Sequence, residues 1–438
     1  MGVEQRGGVI QFCESVNQRW EEPMSKTKSF EISKHIVWEA YRRIKANKGA
    51  AGIDEQSIEA FEEDLSNNLY KLWNRMSSGS YFPPPVRRVD IPKPDGRTRP
   101  LGIPTVTDRI AQMVVKQRLE PTMEPYFHPD SYGYRPGKSA IEAVGQARRR
   151  CWRYNWVIDL DIKSFFDSID HELLMCAVCK HTSCKWVKLY IERWLKAPTQ
   201  LADGTLIERE KGTPQGSVIS PLLSNLFLHY AFDKWMGREL AGVPFERYAD
   251  DVICHCVSEK QAKFALRAIR QRLSECRLEL HPEKTKIVYC KDNRRRGNYS
   301  KEKFDFLGFT FRSRLSMNRK GEAFVGFSPA VSNKATKAIR DTIRSWRLHR
   351  RSDKSLEDFA RMYNPIIRGW INYYGSYHRS ALYRTFYHLD RIISRWASRK
   401  YKRVERRQRE SLHWLKRRIS RQPFLLAHWR FVYAWARR

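Results

Sequence analysis

The sequence predicts an α+β fold followed by an all-α, strongly basic C-terminal region. Between residues 156 and about 314, short strand-like runs are separated by longer runs of helical period, which is typical of an antiparallel sheet backed by helices. The predicted strands cover residues 156–160, 245–248, 252–256, 286–290 and 304–311, and the predicted helices cover 172–195, 221–236 and 259–276. The last 108 residues, 331–438, hold 28 Lys and Arg against 7 Asp and Glu, so 28 − 7 = +21 of the net charge of +34 lies there. Apolar residues in this region recur at spacings of three and four, which predicts a helical bundle with cationic outer faces.

A leader, a pair of helices and a hairpin are predicted before the sheet. Residues 1–29 have no clear pattern and are interpreted as a leader, whereas residues 33–76 have helical period on both sides of a Gly-rich turn at 48–52. Three prolines at 83–85 end the helix, and residues 86–92 predict a strand that turns at 93–96 into a second strand beginning near Arg97. Cations at the tip and sides of such a hairpin suit the phosphate oxygens of a triphosphate. The alternative is an exposed basic hairpin that binds no ligand.

Aspartates at two separate points of the predicted sheet indicate a metal site. Asp250 and Asp251 stand between apolar runs, which predicts a β-hairpin with both carboxylates at its turn. Asp159 and Asp161 alternate with apolar residues and therefore share one face of a strand. Such hard oxygen ligands suit Mg²⁺, and three carboxylates brought together would hold two ions for phosphoryl transfer. A lone Asp-Asp pair is more often an ordinary turn, so the second acidic segment is what favours the metal site.

Charge and apolar content limit the classes of partner. An excess of 82 Lys and Arg over 48 Asp and Glu predicts a polyanion, either nucleic acid or an anionic membrane. No run approaches the roughly 20 apolar residues that span a bilayer, and the N-terminus has no signal-like apolar core. Nine cysteines, an odd number, do not suggest a disulfide framework. We therefore expect a cytoplasmic protein without a membrane partner, as a monomer or dimer.

One group of cysteines and histidines has spacings that resemble a zinc site. Its members are His171, Cys176, Cys179, His181 and Cys184. Apolar residues at helical spacing lie among them, which favours an amphipathic helix. No second pair of ligands follows at a suitable distance in the sequence, so the prediction is a helix rather than a metal site.

Nine short segments occur in a fixed order along the chain. They are NKGAAGID (47–54), VRRVDIPKPDGRTRPLGIPTVTDRIAQ (86–112), SYGYRPGKSA (131–140), VIDLDIKSFFDSID (157–170), GTPQGSVISPLLSN (212–225), FERYADD (245–251), HPEKTKI (281–287), FDFLGF (304–309) and IIRGWINYYG (366–375). Together they resemble the reverse transcriptases and maturases encoded by bacterial group II introns, and the resemblance runs from about residue 45 to the C-terminus. It implies a right-hand polymerase with fingers, a palm containing the antiparallel sheet, and an all-α basic thumb called domain X in maturases.

The resemblance also implies the activity, the partners and the domain boundaries. The expected protein is an RNA-directed DNA polymerase that copies intron RNA by target-primed reverse transcription and binds intron RNA to assist splicing. Its expected partners are group II intron RNA, an RNA template with a DNA primer, target DNA and dNTPs. The expected domains are a leader (1–29), the N-terminal extension and fingers (30–150), the palm (151–315), the thumb (325–400) and a basic nucleic-acid-binding segment (401–438).

By the same resemblance, two Mg²⁺ ions are the expected cofactor. Asp161 and Asp250 would bridge both ions, Asp251 would be more peripheral, and the backbone carbonyl of Ile162 would complete one coordination shell. Mg²⁺ prefers near-octahedral oxygen ligation, which these four groups supply in part.

The resemblance assigns a second set of residues to the nucleotide. The expected dNTP contacts are Lys93, Arg99, Phe166 and Gln215. A bulky ring at Phe166 leaves no space for a 2′-hydroxyl and would select dNTPs over NTPs, although the alternative is a core position beside Phe165. Ser217 replaces a glycine common in the family, which we expect to preserve the chemistry. Lys284, or Lys286 two residues later, would protonate the departing pyrophosphate.

The basic segment at residues 399–421 is expected to contact nucleic acid. Its cations are Arg399, Lys400, Lys402, Arg403, Arg406, Arg407, Arg409, Lys416, Arg417 and Arg418. They spread around a predicted helix rather than along one face, which suits phosphate contacts and predicts steep salt dependence. The chain ends at Arg438 without the Cys-rich H-N-H endonuclease segment of some family members. Priming is therefore expected at nicks, replication forks or single-stranded targets.

Three alternative functions are weighed against this interpretation. A non-catalytic RNA-splicing factor with a vestigial polymerase fold predicts the loss of at least one metal ligand, and all three aspartates are present. A domesticated enzyme of the same fold in DNA repair or phage defence would keep them, and only the intron RNA ends that flank a gene would separate that case. An RNA-dependent RNA polymerase is disfavoured by Phe166.

Overall fold

The computed structural model describes residues 28–92, 96, 98–317, 320–401 and 408–433. Its helices are, in chain order, α1 (Lys34–Asn47), α2 (Ile58–Glu62), α3 (Leu65–Ser78), α4 (Val106–Met123), α5 (Ala140–Cys151), α6 (Phe165–Ser168), α7 (His171–His181), α8 (Lys185–Lys196), α9 (Ser220–Leu228), α10 (Lys234–Glu239), α11 (Glu259–Glu275), α12 (Asn333–Ser345), α13 (Leu356–Tyr374), α14 (Tyr383–Lys400), α15 (Gln408–Arg421) and α16 (Ala427–Tyr433). Its strands are β1 (Val86–Pro92), β2 (Thr98–Ile103), β3 (Trp156–Asp161), β4 (Thr199–Gln200), β5 (Leu206–Ile207), β6 (Phe245–Tyr248), β7 (Asp251–Cys256), β8 (Lys286–Tyr289), β9 (Lys303–Phe306), β10 (Phe309–Met317) and β11 (Ala323–Val331).

The chain divides into two compact units, each built from several segments. The first unit comprises Met1–Gly137, Asp161–Ala241 and Arg267–His281, and the second comprises Lys138–Leu160, Gly242–Leu266 and Pro282–Arg438. The sheet of the first unit has the order β2-β1-β4-β5, with β1 antiparallel to β2 and parallel to β4. The strand predicted at residues 86–92 and the second strand predicted to begin near Arg97 are therefore confirmed as the paired strands β1 and β2.

The helices of the first unit begin and end at recognisable caps. Ser33 caps α1 by accepting a hydrogen bond from the backbone N–H of His35, and α3 ends at Gly79 with φ of 79°, a left-handed conformation that glycine adopts without steric cost. Helix α4 is buried on several sides, unlike an amphipathic surface helix. The helices predicted on both sides of the turn at 48–52 are confirmed.

The second unit contains the sheet that the acidic motifs predict. Its strand order is β6-β7-β3-β8, with β6 antiparallel to β7 and β3 antiparallel to β8. The predicted strands at residues 156–160, 245–248, 252–256 and 286–290 are confirmed to within one residue at each end. Strand β3 ends at Asp161, the residue at which the chain passes from the second unit into the first.

The C-terminal part of the second unit combines a three-stranded sheet, β11-β10-β9, with helices α12 to α16. Ser355 and Asp358 form a capping box at the start of α13, as their spacing predicts. The aromatic residues of this region lie mainly in its core: Trp396 and Trp429 are completely buried, and Trp346 stacks on Tyr363 with ring centroids 4.1 Å apart. The helical bundle predicted for residues 331–438 is confirmed for its described part.

Three elements that were predicted to be continuous, one strand and two helices, are interrupted in the structure. The strand at 304–311 is two antiparallel strands, β9 and β10, because Leu307 and Gly308 form a two-residue turn with φ of 48° and 80°. The helix at 172–195 is broken between α7 and α8, where Thr182 is extended. The helix at 399–421 is interrupted because α14 ends at Lys400 and Tyr401 is extended.

Some predicted residues lie outside the described part of the chain. They are the leader up to residue 27, the nucleotide contact Lys93, and the basic residues Lys402, Arg403, Arg406 and Arg407. Within the part of the chain that is described, no helix is long and apolar enough to cross a membrane.

Candidate active site

The Asp250–Asp251 pair lies at a tight turn between β6 and β7, as predicted. Tyr248 pairs with Asp251 in the ladder, which leaves Ala249 and Asp250 as the two turn residues. Ala249 has φ of 55° and is buried, in a region that glycine populates readily and alanine rarely. Strain of this kind costs about 1–3 kcal/mol and persists only where the surroundings hold the backbone in place.

Buried charged residues brace this hairpin within the second unit. The Glu246 side chain is completely buried and accepts hydrogen bonds from Arg150 Nη1 at 2.6 Å and from His255 Nε2 at 2.6 Å. The completely buried Arg247 donates from Nη1 to the carbonyl of Ala249 at 3.2 Å. The strained turn is thus held on both sides by side chains that have little freedom to move.

The segment that follows β3 is braced by its own partner within the first unit. Lys163 N donates to Glu279 O at 2.9 Å, and His281 N donates to Asp161 O at 2.7 Å, which together make the antiparallel bridge between Ile162 and Leu280. Neither hydrogen bond uses the carbonyl of Ile162. This carbonyl is therefore not committed by the bridge that holds the segment, as a metal ligand at this position requires.

The glycine-flanked turn at residues 212–217, called the Gln215 turn below, packs on the segment after β3. Gly212 N donates to Ile169 O at 2.7 Å, and Thr213 N donates to Phe166 O at 2.7 Å. On its other side, Gly102 N of β2 donates to Gln215 O at 2.6 Å. The turn is therefore tied by backbone hydrogen bonds both to β2 and to the short helix α6.

Glycine is required at Gly216 for two reasons. Its φ is 111°, where side chains are strained. A Cβ atom at this position would also lie 2.6 Å from the carbonyl oxygen of Gly102, far inside van der Waals contact. The Gln215 turn and β2 can approach this closely only because no side chain intervenes.

Several arginines and one carboxylate surround the predicted nucleotide contacts. Burial raises the pKa of Asp167, while the charges of Arg209, Arg88 and Arg99 oppose that rise. Gln215 Nε2 approaches Asp167 Oδ2 at 3.5 Å, the outer limit of a hydrogen bond. Within the first unit, the structure thus brings the predicted contacts Arg99 and Gln215 into one electrostatic neighbourhood.

The two phenylalanines after β3 differ in exposure. Phe165 is buried and packs against Phe227, whereas Phe166 is only half-buried, with its ring centroid 5.4 Å from that of Phe165. The core position that the sequence left open for Phe166 is thus filled by its neighbour.

The two lysines that are candidates for the proton donor differ in their surroundings. Lys286 Nζ lies 3.2 Å from Asp159 Oδ2 in the β3–β8 ladder, whereas Lys284 is exposed. Asp159, which shares the β3 face with Asp161, therefore has a cation partner in the sheet.

A cation-lined cavity of about 640 Å³ lies between the three-stranded sheet and helices α12 and α14 in the second unit. Its charged lining is mostly basic: Lys286, Lys303, Arg312, Arg314, Arg340 and Arg384, with Asp305. Burial, and then the neighbouring charge of Arg312, lowers the pKa of Arg314 to about 10. Such a concentration of cations in a concave site suits a polyanion.

The described residues of the predicted basic segment fall into two groups. Lys416 and Arg417 are exposed on α15. In contrast, Lys400 donates to the carbonyl of Lys354 and lies over the Trp396 ring, and Arg399 donates to His349 O at 3.3 Å. Arg418 lies over the Trp414 ring, with its guanidinium carbon 5.8 Å from the centroid. Part of this positive charge therefore also serves packing within the bundle.

The residues of the possible zinc site lie on or after α7 in the first unit. His171 Nε2 is bonded to Gly212 O at 2.8 Å and His181 Nε2 to Tyr230 Oη at 2.9 Å, while Cys184 follows the end of the helix. Among the residues that the structure describes, no group of three or more His, Cys, Asp or Glu side chains is spaced to hold a metal ion.

Two family models match this chain, one over the region of the acidic hairpin and the Gln215 turn and the other over the basic helical region. The reverse transcriptase (RNA-dependent DNA polymerase) family matches residues 91–311, about half of the chain, and the maturase-specific domain of group II introns matches residues 336–414. The chain belongs to the group II intron reverse transcriptases. The α+β fold with a helical C-terminal region, the RNA-directed DNA polymerase and the maturase that the sequence predicts are confirmed by this assignment.

Individual relatives cover different shares of this reverse transcriptase. Protein YkfC of Escherichia coli is 34% identical over 299 residues, covering 58% of this chain and 77% of YkfC. The group II intron-encoded protein LtrA of Lactococcus lactis is 36% identical over 197 residues, covering 44% of this chain and 32% of LtrA. The putative COX1/OXI3 intron 1 protein of Saccharomyces cerevisiae is 27% identical over 304 residues, covering 68% of this chain and 36% of that protein. The matched region thus spans about a third of the length of the last two.

Two charged residues beside the predicted nucleotide contacts could not be identified from the sequence. Asp167 and Arg209 were not assigned a role, although Asp167 directly follows Phe166. Arg209 is near the Gln215 turn in sequence, but nothing in its local pattern distinguishes it from other surface cations. The charges that set the pKa of Asp167 come from β1, β2 and the residues before the Gln215 turn, and contacts between such distant segments leave no local signal.

Proposed function

We propose that this chain copies RNA into DNA with two Mg²⁺ ions held by Asp161, Asp250, Asp251 and the carbonyl of Ile162. The observation that carries the proposal is the β6–β7 hairpin, which presents two carboxylates at its turn in a sheet where β7 is the neighbour of β3, the strand that ends at Asp161. All three aspartates are at least partly exposed, so oxygen ligands that suit Mg²⁺ are accessible. The ions would activate the primer 3′-hydroxyl and neutralise the charge of the departing pyrophosphate.

The residues around the Gln215 turn bind and orient the nucleotide in this proposal. Arg99 contacts the triphosphate together with Lys93, and Gln215 contacts the incoming nucleotide. The half-buried Phe166 packs under the sugar and excludes a 2′-hydroxyl by its bulk. The shared electrostatic neighbourhood of Arg99, Gln215 and Asp167 supports this assignment.

Lys284 is the proposed donor of a proton to the departing pyrophosphate. The exposure of Lys284 supports this choice, because a proton donor must reach the departing group, whereas Lys286 lies in strand β8 with its Nζ 3.2 Å from Asp159 Oδ2.

Nucleic acid, bound largely through its phosphates, is the proposed macromolecular partner. Exposed Lys416 and Arg417 on α15 and the cation-lined cavity support this role. The partners would be group II intron RNA, an RNA template with its DNA primer, and target DNA, in target-primed reverse transcription. Phosphate contacts release counterions, so affinity should fall steeply with salt. We assign residues 30–150 to the N-terminal extension and fingers, 151–315 to the palm, 325–400 to the thumb and 401–438 to the basic segment.

A reducing cytoplasm is the proposed compartment. The eight cysteines among the described residues are all free, as is usual where thiols are kept reduced.

Primer extension on an RNA template with dNTPs and Mg²⁺ tests the polymerase. The native chain should extend the primer, and Asp250→Asn should reduce extension to background, because an amide is a poorer ligand than a carboxylate for Mg²⁺. The matched control is Asp203→Asn, which alters an exposed aspartate in the β4–β5 turn and should extend normally. No extension by the native chain, together with tight binding of intron RNA, would favour the non-catalytic splicing factor.

A further inference from the structure

A buried glutamine lies directly behind the Gln215 turn in the first unit. Gln112, on α4, is 1% exposed, and its Oε1 accepts hydrogen bonds from the backbone N–H groups of Val218 at 2.8 Å and Ile219 at 3.3 Å. These are the two residues that follow the turn in sequence. One side-chain amide therefore satisfies two backbone donors, of which that of Ile219 is buried, at the point where the turn leads into α9.

The orientation of this amide is set by Asp108, one helical turn earlier. Gln112 Nε2 donates to Asp108 Oδ2 at 2.9 Å, so Oε1 must face Val218 and Ile219. The other carboxylate oxygen, Oδ1, accepts from Tyr81 Oη at 2.8 Å and Trp194 Nε1 at 2.7 Å. All three partners of Asp108 are donors to it, so the carboxylate imposes a single direction on the network.

A carboxylate at position 108 is energetically unfavourable because it is buried. It is 1% exposed, and each of its hydrogen-bond partners is neutral. Burial raises its pKa to about 6 even though the three hydrogen bonds oppose the rise. A buried charge without a cation is usually less stable than an apolar residue of similar volume, so a carboxylate here is better explained by what it orients than by stability.

We propose that Asp108 and Gln112 are positioning residues of the nucleotide pocket: Asp108 fixes the Gln112 amide, and Gln112 holds the Gln215 turn against the incoming dNTP through Val218 and Ile219. This inference rests on the proposed function, because it takes the nucleotide to bind at Gln215. Neither residue touches the substrate, so both act through the backbone of the turn.

Replacing Asp108 with Asn separates this role from a merely structural one. The substitution keeps the shape of the side chain and removes the buried charge. The Asn oxygen can still accept from Tyr81 and Trp194, but its NH₂ group then faces the NH₂ group of Gln112. The Gln112 amide must rotate or move away, and Val218 and Ile219 lose their acceptor. We expect the KM for dNTP to rise about tenfold with a smaller change in kcat, which corresponds to about 1.4 kcal/mol of binding.

Exchanging the two functional groups should restore the network. In the double variant Asp108→Asn with Gln112→Glu, the new amide on α4 would donate to the new carboxylate one turn later, whose other oxygen again accepts from Val218 and Ile219. We expect the KM to return to within about twofold to threefold of the native value. Hydrogen exchange at the amides of Val218 and Ile219 gives a second readout that needs no catalysis: it should be faster in Asp108→Asn and slow again in the double variant.

The matched control is Asn364→Ala, which removes another buried amide that satisfies backbone groups, those of Leu425 and Ala427, in the second unit. It should lower the melting temperature without raising the KM for dNTP. Native dNTP incorporation with an unchanged KM in Asp108→Asn, or a double variant no better than the single one, would overturn the positioning role. Absence of incorporation by the native chain would instead overturn the proposed function, while the exchange measurement would still show whether Asp108 and Gln112 hold the turn.

Discussion

Replacing Glu246 with Gln should loosen the hairpin that carries Asp250 and Asp251. The Glu246 side chain is completely buried and receives hydrogen bonds from Arg150 and His255, both at 2.6 Å. Breaking a buried charged network of this kind costs about 3–5 kcal/mol, because it leaves the Arg150 guanidinium without a compensating charge. We expect a loss of about 3 kcal/mol, at the low end, since Gln keeps the shape and one acceptor.

The ion pair of Arg238 with Glu239 offers a control, because its N–O distance is the same but its side chains are exposed. Arg238 Nε lies 2.6 Å from Glu239 Oε1, but these side chains are 75% and 48% exposed, and exposed pairs contribute about 0–1 kcal/mol. Glu239→Gln should therefore leave the melting temperature nearly unchanged, whereas Glu246→Gln should lower it by roughly 6–12 °C. Hydrogen exchange in β6 and β7 should also accelerate in Glu246→Gln alone. Equal melting temperatures for the two variants would refute the bracing role of Glu246.

Three further outcomes follow from the structure. Phe166→Ala should narrow the preference for dNTPs over NTPs, measured as the ratio of kcat/KM values; an unchanged ratio would remove Phe166 from the nucleotide pocket. Gly216→Ala should lower dNTP incorporation by at least about tenfold, because about 1–3 kcal/mol of backbone strain adds to a Cβ contact at 2.6 Å with Gly102 O; native kinetics in this variant would show that the turn and β2 can separate. Burial raises the pKa of Asp108 from 3.8 to about 6 in the folded chain, so this carboxyl binds its proton more tightly when folded. Its contribution to the free energy of unfolding should therefore fall by about 2 kcal/mol as pH rises from about 4 to about 6. Because the other carboxylates titrate in both proteins, denaturant titrations of the native chain and of Asp108→Asn should diverge by this amount across the range, and parallel curves would contradict the prediction.

Elements with strong local signals were predictable from the sequence. Ser355 and Asp358 have the spacing of a capping box and do form one at the start of α13. The Asp250–Asp251 pair between two apolar runs predicted a hairpin, and β6 and β7 pair across it. In both cases the information lies within a few neighbouring residues.

Turns without the usual turn residues were not predictable. Leu307 and Gly308 both have positive φ and split one predicted strand into β9 and β10, yet Leu-Gly lacks the Asn or Asp that normally marks such a turn. The break between α7 and α8 contains Thr182 and Cys184 but neither Gly nor Pro. Tertiary packing decides the backbone at these points.

The residues that hold the candidate site in place were not predictable from the sequence for a different reason. Gln112 and Val218 are 106 residues apart in sequence, and Glu246 receives its hydrogen bond from Arg150, 96 residues earlier. Such pairs have no spacing that a sequence pattern could show. A single sequence therefore offers candidates for the site itself, but not for the residues that hold those candidates in place.

Oxidative cleavage of the backbone by Fe²⁺ bound in place of Mg²⁺ would show whether Asp161 and the pair Asp250–Asp251, which are distant in sequence, serve one metal site. Divalent ions of the first transition row can occupy carboxylate sites. With ascorbate and peroxide, the native chain bound to primer and template should be cut near residue 161 and near residue 250, excess Mg²⁺ should suppress both cuts together, and Asp250→Asn should lose both. Cleavage near only one of these positions, or cuts that persist unchanged in Asp250→Asn, would contradict a shared metal site.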